Sequence, residues 1–131
     1  MIVLDASALL EALLRVSPAG DVVEEQIFEQ DQTVHVPHLL DLEITQVLRR
    51  RVLSGLITVP RCLRAFDDLA NLTLYRYPHD FLLPRVWELR DNISAYDAVY
   101  IALAEYLAAP LLTRDRRLAN APGHSVQINL I

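Results

Sequence analysis

Short apolar runs alternate with longer amphipathic segments from one end of the chain to the other. Short runs rich in β-branched residues are typical of strands, and apolar positions spaced three and four residues apart are typical of helices. The predicted strands are Ile2–Leu4, Thr33–Val36, Thr73–Tyr77, Pro110–Thr113 and, at the sheet edge, Ser125–Leu130. The predicted helices are Ala6–Arg15, Asp21–Gln30, Leu39–Leu53, residues 60–71, Phe81–Asp91 and Ala95–Ala108.

This order of elements predicts an α/β fold. Strands separated by helices form parallel sheets that are covered on both faces. The helix over Ala95–Ala108 is apolar nearly all round, so we expect it to be buried. The 131 residues show no internal repeat or linker, which suits one domain. We predict a single three-layer α/β/α sandwich over residues 1–131, with a four- to five-stranded parallel sheet.

The composition excludes several chemistries. All 12 basic residues are arginine, so mechanisms that need a lysine ammonium, such as P-loop nucleotide binding and Schiff-base catalysis, are excluded. The single cysteine, Cys62, excludes an internal disulfide and a cysteine-rich zinc cluster, and we expect it to be buried. The four histidines lack metal-binding spacing, and no segment is typical of a signal peptide or a membrane-spanning helix. We therefore expect a cytoplasmic protein that does not bind membranes.

Four acidic residues stand where the reactive sites of open parallel sheets lie. Ligands of such sheets bind beyond the carboxyl ends of the strands. Two of the acids follow the first and fourth predicted strands, one lies in the first turn of the buried helix, and one lies beside the apolar stripe of the helix over Leu39–Leu53. The four are Asp5, Asp115, Asp97 and Glu43.

Each acid taken singly also fits an ordinary structural role. Asp5 and Asp115 are suited to cap the helix or turn that follows. Asp97 stands three residues after Ser94, as in a capping box, and Glu43 fits a solvated helix flank. The convergence of all four favours a functional site over four separate structural roles.

Clustered carboxylates favour a metal site. With no lysine nearby, they would repel one another unless a cation held them. Oxygen ligands without cysteine indicate Mg²⁺ or Mn²⁺ rather than zinc. Such ions activate water and stabilise displacement at phosphorus, which predicts phosphodiester hydrolysis without choosing a substrate. The net charge of −5 is unusual for a protein that binds nucleic acid, but two divalent ions would cancel four of the negative charges.

Four ordered segments resemble the PIN-domain ribonucleases, and most of all the VapC-type toxins of bacterial toxin–antitoxin pairs. The resemblance covers nearly the whole chain, although residues 55–90 carry almost none of it. The segments are Asp5-Ala-Ser7, Leu42–Arg49, Tyr96–Glu105 and Leu112–Leu118.

The resemblance implies a metal-dependent endoribonuclease, the toxin of a type II toxin–antitoxin system. It implies that Asp5, Glu43, Asp97 and Asp115 hold Mg²⁺, or Mn²⁺, and that Ser7 and Thr113 support them. RNA would be cleaved to leave a 5′-phosphate and a 3′-hydroxyl. The implied partners are the RNA substrate, a VapB-type antitoxin that uses apolar surfaces of the first helices, and a second copy of the chain in a homodimer.

Arginines and one tyrosine are candidates for contact with RNA. Arg114, Arg116 and Arg117 border the predicted site, and guanidinium groups suit phosphate oxygens. Arg49–Arg51 lie near a helix C-terminus, where we expect them to satisfy the helix dipole and the last carbonyls. Tyr96 is the aromatic residue best placed to stack on a base, and the others are expected in the core or at a dimer contact.

Two other functions compete with a nuclease. A PIN-like domain that binds RNA or protein without catalysis would share the same motifs, although an intact cluster of four acids argues against it. A phosphoryl-transfer or receiver domain also places an aspartate after its first strand. That class generally needs a lysine and often a second aspartate beside the first, whereas this chain has no lysine and has Ser7 two positions after Asp5.

Overall fold

Five strands form one sheet in a computed structural model that describes residues 1–131. The strands lie in the order β3-β2-β1-β4-β5, and every neighbouring pair is parallel. The central strand is buried along its whole length, as expected for a strand covered on both faces. The strands are β1 (Ile2–Leu4), β2 (Val34–Pro37), β3 (Leu74–Tyr77), β4 (Leu111–Thr113) and β5 (Ile128–Leu130).

Helices cover both faces of the sheet. The seven helices are α1 (Ala6–Leu13), α2 (Ala19–Glu24), α3 (Leu39–Leu53), α4 (Val59–Asn71), α5 (Leu83–Glu88), α6 (Ala95–Leu107) and α7 (Arg116–Ala119). Helix α1 packs against α2, α3 and α4, whereas α6 packs against β1, β2, β4 and α5. The three-layer α/β/α sandwich with a five-stranded parallel sheet is therefore confirmed.

Helix α6 is the centre of one helical layer. Its residues Ala98–Ala104 are buried without interruption, which confirms the prediction from its all-round apolar sequence. The Ser94 hydroxyl caps its first turn, and Ala108 ends it in the left-handed region at a φ of 51°. None of the helices, α6 included, combines the length and apolar composition that crossing a bilayer requires.

The structure differs from the predictions mainly at helix ends. Helix α1 ends before Arg15, which adopts a φ of 56° instead of continuing the helix. Helix α2 starts at Ala19 and gives way at Glu25 to a π-helical turn, because local hydrogen bonds shift there to wider spacing. The predicted helix over Phe81–Asp91 is a 3₁₀ turn followed by the shorter α5. Helix α7 was not predicted, since four residues show no periodic pattern.

Candidate active site

The topology opens a crevice between the carboxyl ends of β1 and β4. From β1 the sheet continues on one side through β2 and β3, and from β4 it continues on the other side to β5. The strand order therefore reverses between β1 and β4, at what is called a topological switch point. The connections that follow the two strands run in opposite directions there, which leaves room for a ligand. Asp5 directly follows β1, and Thr113 is the last residue of β4. The sheet itself therefore brings these two predicted site residues together.

The Asp5 carboxylate is buried and held on both oxygens. Its Oδ1 accepts hydrogen bonds from the Ser7 hydroxyl at 2.7 Å and from the Ala8 N–H at 2.9 Å. Its Oδ2 accepts a hydrogen bond from the Thr113 hydroxyl at 2.5 Å. Only 6% of Asp5 is exposed, and burial raises its pKa even though these three donors oppose the shift. The carboxylate is thus fixed in orientation while carrying a charge that its surroundings do not neutralise.

Ser7 and Thr113 also order the segment that follows β4. The Ser7 Oγ accepts a hydrogen bond from the Arg114 N–H at 2.9 Å, and the Thr113 Oγ1 accepts one from the Asp115 N–H at 2.9 Å. Each hydroxyl therefore donates to Asp5 and accepts from the backbone beyond β4. This places both predicted supporting residues between Asp5 and the segment that carries Asp115.

Asp115 and Asp97 complete the acidic side of the crevice at the starts of two helices. Asp115 caps α7, since its Oδ1 accepts a hydrogen bond from the Arg117 N–H at 2.8 Å. Asp97 lies in the first turn of α6, where its N–H donates to the Ser94 hydroxyl at 3.2 Å. Burial and the charge of Asp115 raise the pKa of Asp97, and its proximity to Arg117 opposes the shift. Asp115 and Asp97 can therefore occupy the start of a helix and still lie close enough for their charges to interact.

Glu43 is held by a tyrosine that the sequence did not single out as a site residue. The buried Tyr100 hydroxyl donates a hydrogen bond to Glu43 Oε1 at 2.6 Å and so joins α6 to α3. Burial raises the pKa of Glu43, the Tyr100 hydrogen bond lowers it, and the charges of Asp5 and Asp97 raise it further. Tyr100 follows Asp97 by three residues on a helix, and this spacing is the signal that could have identified it.

The donor chemistry of the four acids fits a hard divalent cation. Nothing but carboxylate oxygens is offered, and the negative charge of Asp97 acts on both Asp5 and Glu43. The one cation paired with the group is Arg117, whose guanidinium lies 3.7 Å from Asp115. No three acidic, histidine or cysteine side chains already converge into a complete metal cage. The four carboxylates are therefore neighbours with uncompensated charge rather than a preformed coordination sphere.

The three predicted phosphate-binding arginines differ in how free they are. The Arg114 guanidinium donates a hydrogen bond to the Ile131 carbonyl at 2.7 Å and lies 3.6 Å from Glu11. Arg117 is 90% exposed beside Asp115, and Arg116 is exposed and forms no ion pair. Arg116 is thus free to move toward a ligand, Arg117 is held only by its exposed ion pair with Asp115, and Arg114 is tied to Ile131 and Glu11.

A cleft of about 620 Å³ between α1 and α3 adjoins the acidic group. Ser7 and Glu43 of the candidate site line this cleft. Tyr96 and Arg114 also line it, and they directly precede Asp97 and Asp115 in the sequence. A second cavity of about 590 Å³ lies at the opposite end of the sheet, near Thr33 and Thr73, and none of the four acids lines it. Of these two cavities, the cleft is therefore the one that reaches the candidate site, through Glu43 and Ser7.

Comparison with known proteins identifies close relatives. A family model for the PIN domain matches residues 2–123. Ribonuclease VapC1 of Mycobacterium tuberculosis is 42% identical over 130 residues, which cover 98% of this chain and 96% of the relative. Ribonuclease VapC12 of the same organism is 37% identical over 131 residues, which cover 100% of this chain and 99% of the relative.

Solved structures share the fold at lower sequence identity. VapBC2 from Rickettsia felis, crystallised with a DNA fragment of its promoter, superposes with a TM-score of 0.70 at 14% identity and covers 98% of both chains. VapC20 of Mycobacterium tuberculosis, described as a toxin that cleaves the sarcin–ricin loop, superposes with a TM-score of 0.63 at 16% identity. It covers 91% of this chain and 93% of its own. At these identities the superpositions support the fold.

Proposed function

The chain belongs to the PIN-domain family, among the VapC toxin ribonucleases, and from this premise we propose that it cleaves RNA with Mg²⁺ held by Asp5, Glu43, Asp97 and Asp115. Mn²⁺ has the same preference for oxygen ligands and is the alternative ion. One observation carries the proposal. The charges of Asp5, Glu43, Asp97 and Asp115 act on one another near the β1–β4 switch point, and a single arginine, 3.7 Å from Asp115, is the only positive charge paired with them.

Each residue of the site has a distinct task in the proposed reaction. Asp5 supplies a carboxylate whose direction is set by Ser7 and Thr113. Asp97 and Asp115 add ligands from two helix starts, and Glu43 either binds the ion or accepts a proton from the attacking water. When bound, a divalent ion lowers the pKa of that water and offsets charge on the phosphate oxygens. No protein nucleophile is needed.

The test is cleavage of purified total RNA with Mg²⁺ or Mn²⁺, compared with EDTA and with the Asp5→Asn variant. We expect discrete fragments with 5′-phosphate ends only in the wild-type reaction that contains metal. Cleavage by Asp5→Asn as well would show that the activity comes from another site or a contaminant. Metal binding without cleavage across a broad RNA panel would instead support a PIN-like domain that binds RNA or protein without catalysis.

We infer that a VapB-type antitoxin covers exposed leucines in α3, in α4 and in the turn between them, rather than the first helices that the sequence suggested. Related structures were solved as toxin–antitoxin complexes, in Rickettsia felis and Klebsiella pneumoniae. On this chain four exposed leucines offer apolar surface to an amphipathic helix of such a partner. The leucines are Leu42, Leu53, Leu56 and Leu63. A toxin directed at cellular RNA is expected to act in the cytoplasm.

We also infer a homodimer, supported by exposed aromatic residues on and beside α5 and α6. Phe81 and Tyr106 pack edge to face with their ring centroids 4.9 Å apart, and Trp87 is largely exposed beside Arg90. Aromatic residues of this kind are enriched at protein interfaces. Light scattering should give twice the chain mass for the wild type and a lower mass for Trp87→Ala. A wild-type monomer at all concentrations would contradict the inference.

A further inference from the structure

We propose that the cleft between α1 and α3 is the path of the RNA strand on one side of the cleaved bond, with Arg50 and Arg51 contacting phosphates and Tyr96 stacking on a base. The inference rests on the proposed ribonuclease function and adds where the substrate lies. It also reassigns Arg50 and Arg51, which the sequence favoured as partners of the helix C-terminus.

The spacing along α3 connects these arginines to the acidic site. Glu43, Val47, Arg50 and Arg51 all line the cleft, so they share one face of the helix. A helix rises about 1.5 Å per residue, which puts the Cα of Arg50 roughly 10 Å along the axis from that of Glu43. A strand whose scissile phosphate lies at the acids can therefore extend along this face to the arginines.

The last carbonyl groups of α3 already accept hydrogen bonds from other residues and do not need the Arg50 and Arg51 side chains. The Arg50 carbonyl accepts a hydrogen bond from the Ser54 N–H at 3.0 Å, and the Arg51 carbonyl accepts one from the Leu56 N–H at 2.8 Å. The Ser54 hydroxyl also donates to the Arg51 carbonyl, at 3.2 Å. Neither guanidinium forms an ion pair or a hydrogen bond within the protein. Both are therefore available to bind phosphate oxygens, for which the guanidinium fork is suited.

The positive charges of Arg50 and Arg51 on α3 are not cancelled by the other residues that line the cleft. On the opposite wall Arg114 is paired with Glu11 at 3.6 Å, so that wall contributes little net charge. Glu43 belongs to the proposed metal site, where a bound divalent ion would offset its charge. Arg50 and Arg51 then give the cleft a positive character, which attracts a polyanion.

Tyr96 supplies an aromatic surface beside the acids. Its side chain is 66% exposed, it lines the cleft, and it precedes Asp97 in the chain. Stacking of bases on exposed aromatic rings tolerates any sequence and contributes to single-strand binding. An RNA strand explains the exposed ring, the free arginines and the adjoining acids together, whereas a protein segment has no phosphate to place at the acids.

The experiment measures binding of a fluorescein-labelled single-stranded RNA of about a dozen uridines to the intact chain in Ca²⁺, by anisotropy over a range of salt concentrations. Ca²⁺ takes carboxylate ligands and so offsets the charge of the acids, and a gel run after each titration confirms that the RNA is intact. The test variant is Arg50→Ala with Arg51→Ala. The matched control is Arg49→Ala with Arg64→Ala, which removes two exposed arginines that do not line the cleft and form no ion pair. Unchanged thermal midpoints confirm that all variants are folded.

We expect the test variant to bind RNA at least about tenfold more weakly and to lose roughly 1.4 from the slope of log affinity against log salt, at about 0.7 per phosphate contact. The control should stay within about twofold. Tyr96→Leu should weaken binding about fivefold or more with the salt slope unchanged, because stacking releases no counterions.

Three results would overturn the assignment. Equal losses in the test and control variants would mean that binding follows overall charge rather than the cleft. Wild-type affinity in the test variant, with loss only of a co-purifying protein, would make the cleft a protein-binding groove. An unchanged Tyr96→Leu variant would remove the stacking contact. If the wild type cleaves RNA while any of these results holds, the path is wrong and the ribonuclease proposal stands; failure to bind or cleave RNA at all would reject both.

Discussion

Individual side chains at the β1–β4 switch point serve both the fold and the site. Asp5 caps α1 through Oδ1 and receives the Thr113 hydroxyl on Oδ2, while Asp115 caps α7. The capping and catalytic interpretations of these residues therefore do not exclude each other. The same arrangement leaves charge uncompensated, because burial and neighbouring acids raise the pKa of Asp5, Glu43 and Asp97 together.

The raised pKa of Asp97 has a consequence for the metal-free protein. The folded state holds this proton to a higher pH than the unfolded chain does, so stability falls as the pH rises from about 3.8 through the raised value. Asp97→Asn removes that loss. We expect the variant in EDTA to have a higher thermal midpoint than the wild type at neutral pH. The difference between the two midpoints should be smaller at acidic pH. A difference between the two proteins that is the same at neutral and acidic pH would contradict the shift at Asp97.

The hydrogen bond from Tyr100 to Glu43 predicts a specific loss of turnover. Tyr100→Phe keeps the buried ring and removes the hydroxyl, so Glu43 is free to turn away from the site. We expect kcat to fall about tenfold or more with KM nearly unchanged, and unfolding free energy to fall by about 1 kcal/mol. Tyr106→Phe, in the same helix but exposed, is the control and should retain wild-type kinetics. Equal kinetics in both variants would exclude a positioning role for Tyr100.

At the scale of elements, the close packing of α1 on α2 depends on Gly20. A Cβ at this position would lie 2.5 Å from the Glu11 carbonyl oxygen, a contact that the backbone of α1 must relieve by moving. We expect Gly20→Ala to reduce the unfolding free energy by roughly 1–3 kcal/mol in urea titration, despite the better helix propensity of alanine. Glu24→Ala, exposed in the same helix, should change it by less than about 0.5 kcal/mol. Two equal changes would show that the helices are not in close contact.

Sequence predicts elements well where strong local signals bound them. Helix α3 has the predicted limits, Leu39–Leu53, because Pro37 ends the strand before it and Gly55 ends it at a φ of 77°. The π-helical turn after α2 and the short α7 have no such signals. Roles that depend on contacts between distant parts of the chain also cannot be predicted from local sequence: Tyr100 and Glu43, which form a hydrogen bond, are 57 positions apart. Asp5 and Asp115 could be proposed as site residues from the sequence because they follow predicted strands, whereas Asp97 and Glu43 were proposed from their places on two helices.

At the scale of the whole molecule, the sheet order explains why an acidic chain can act on RNA. The parallel strands place Asp5 and Thr113 side by side, and the starts of α6 and α7 carry Asp97 and Asp115. A net charge of −5 thus includes the four acids of the proposed site, whose charge a bound metal would neutralise. The arginines of the α1–α3 cleft and of α7 then lie beside a neutralised site rather than an acidic one.

Calorimetric titration with Mn²⁺ decides whether the four acids hold the catalytic metal. We predict saturable binding in the wild type, and at least about tenfold weaker binding in each of Asp5→Asn, Glu43→Gln, Asp97→Asn and Asp115→Asn. Glu88→Gln, a carboxylate remote from the site that pairs with Arg85, should bind like the wild type. Equal Mn²⁺ affinity in the wild type and all four site variants would contradict the account.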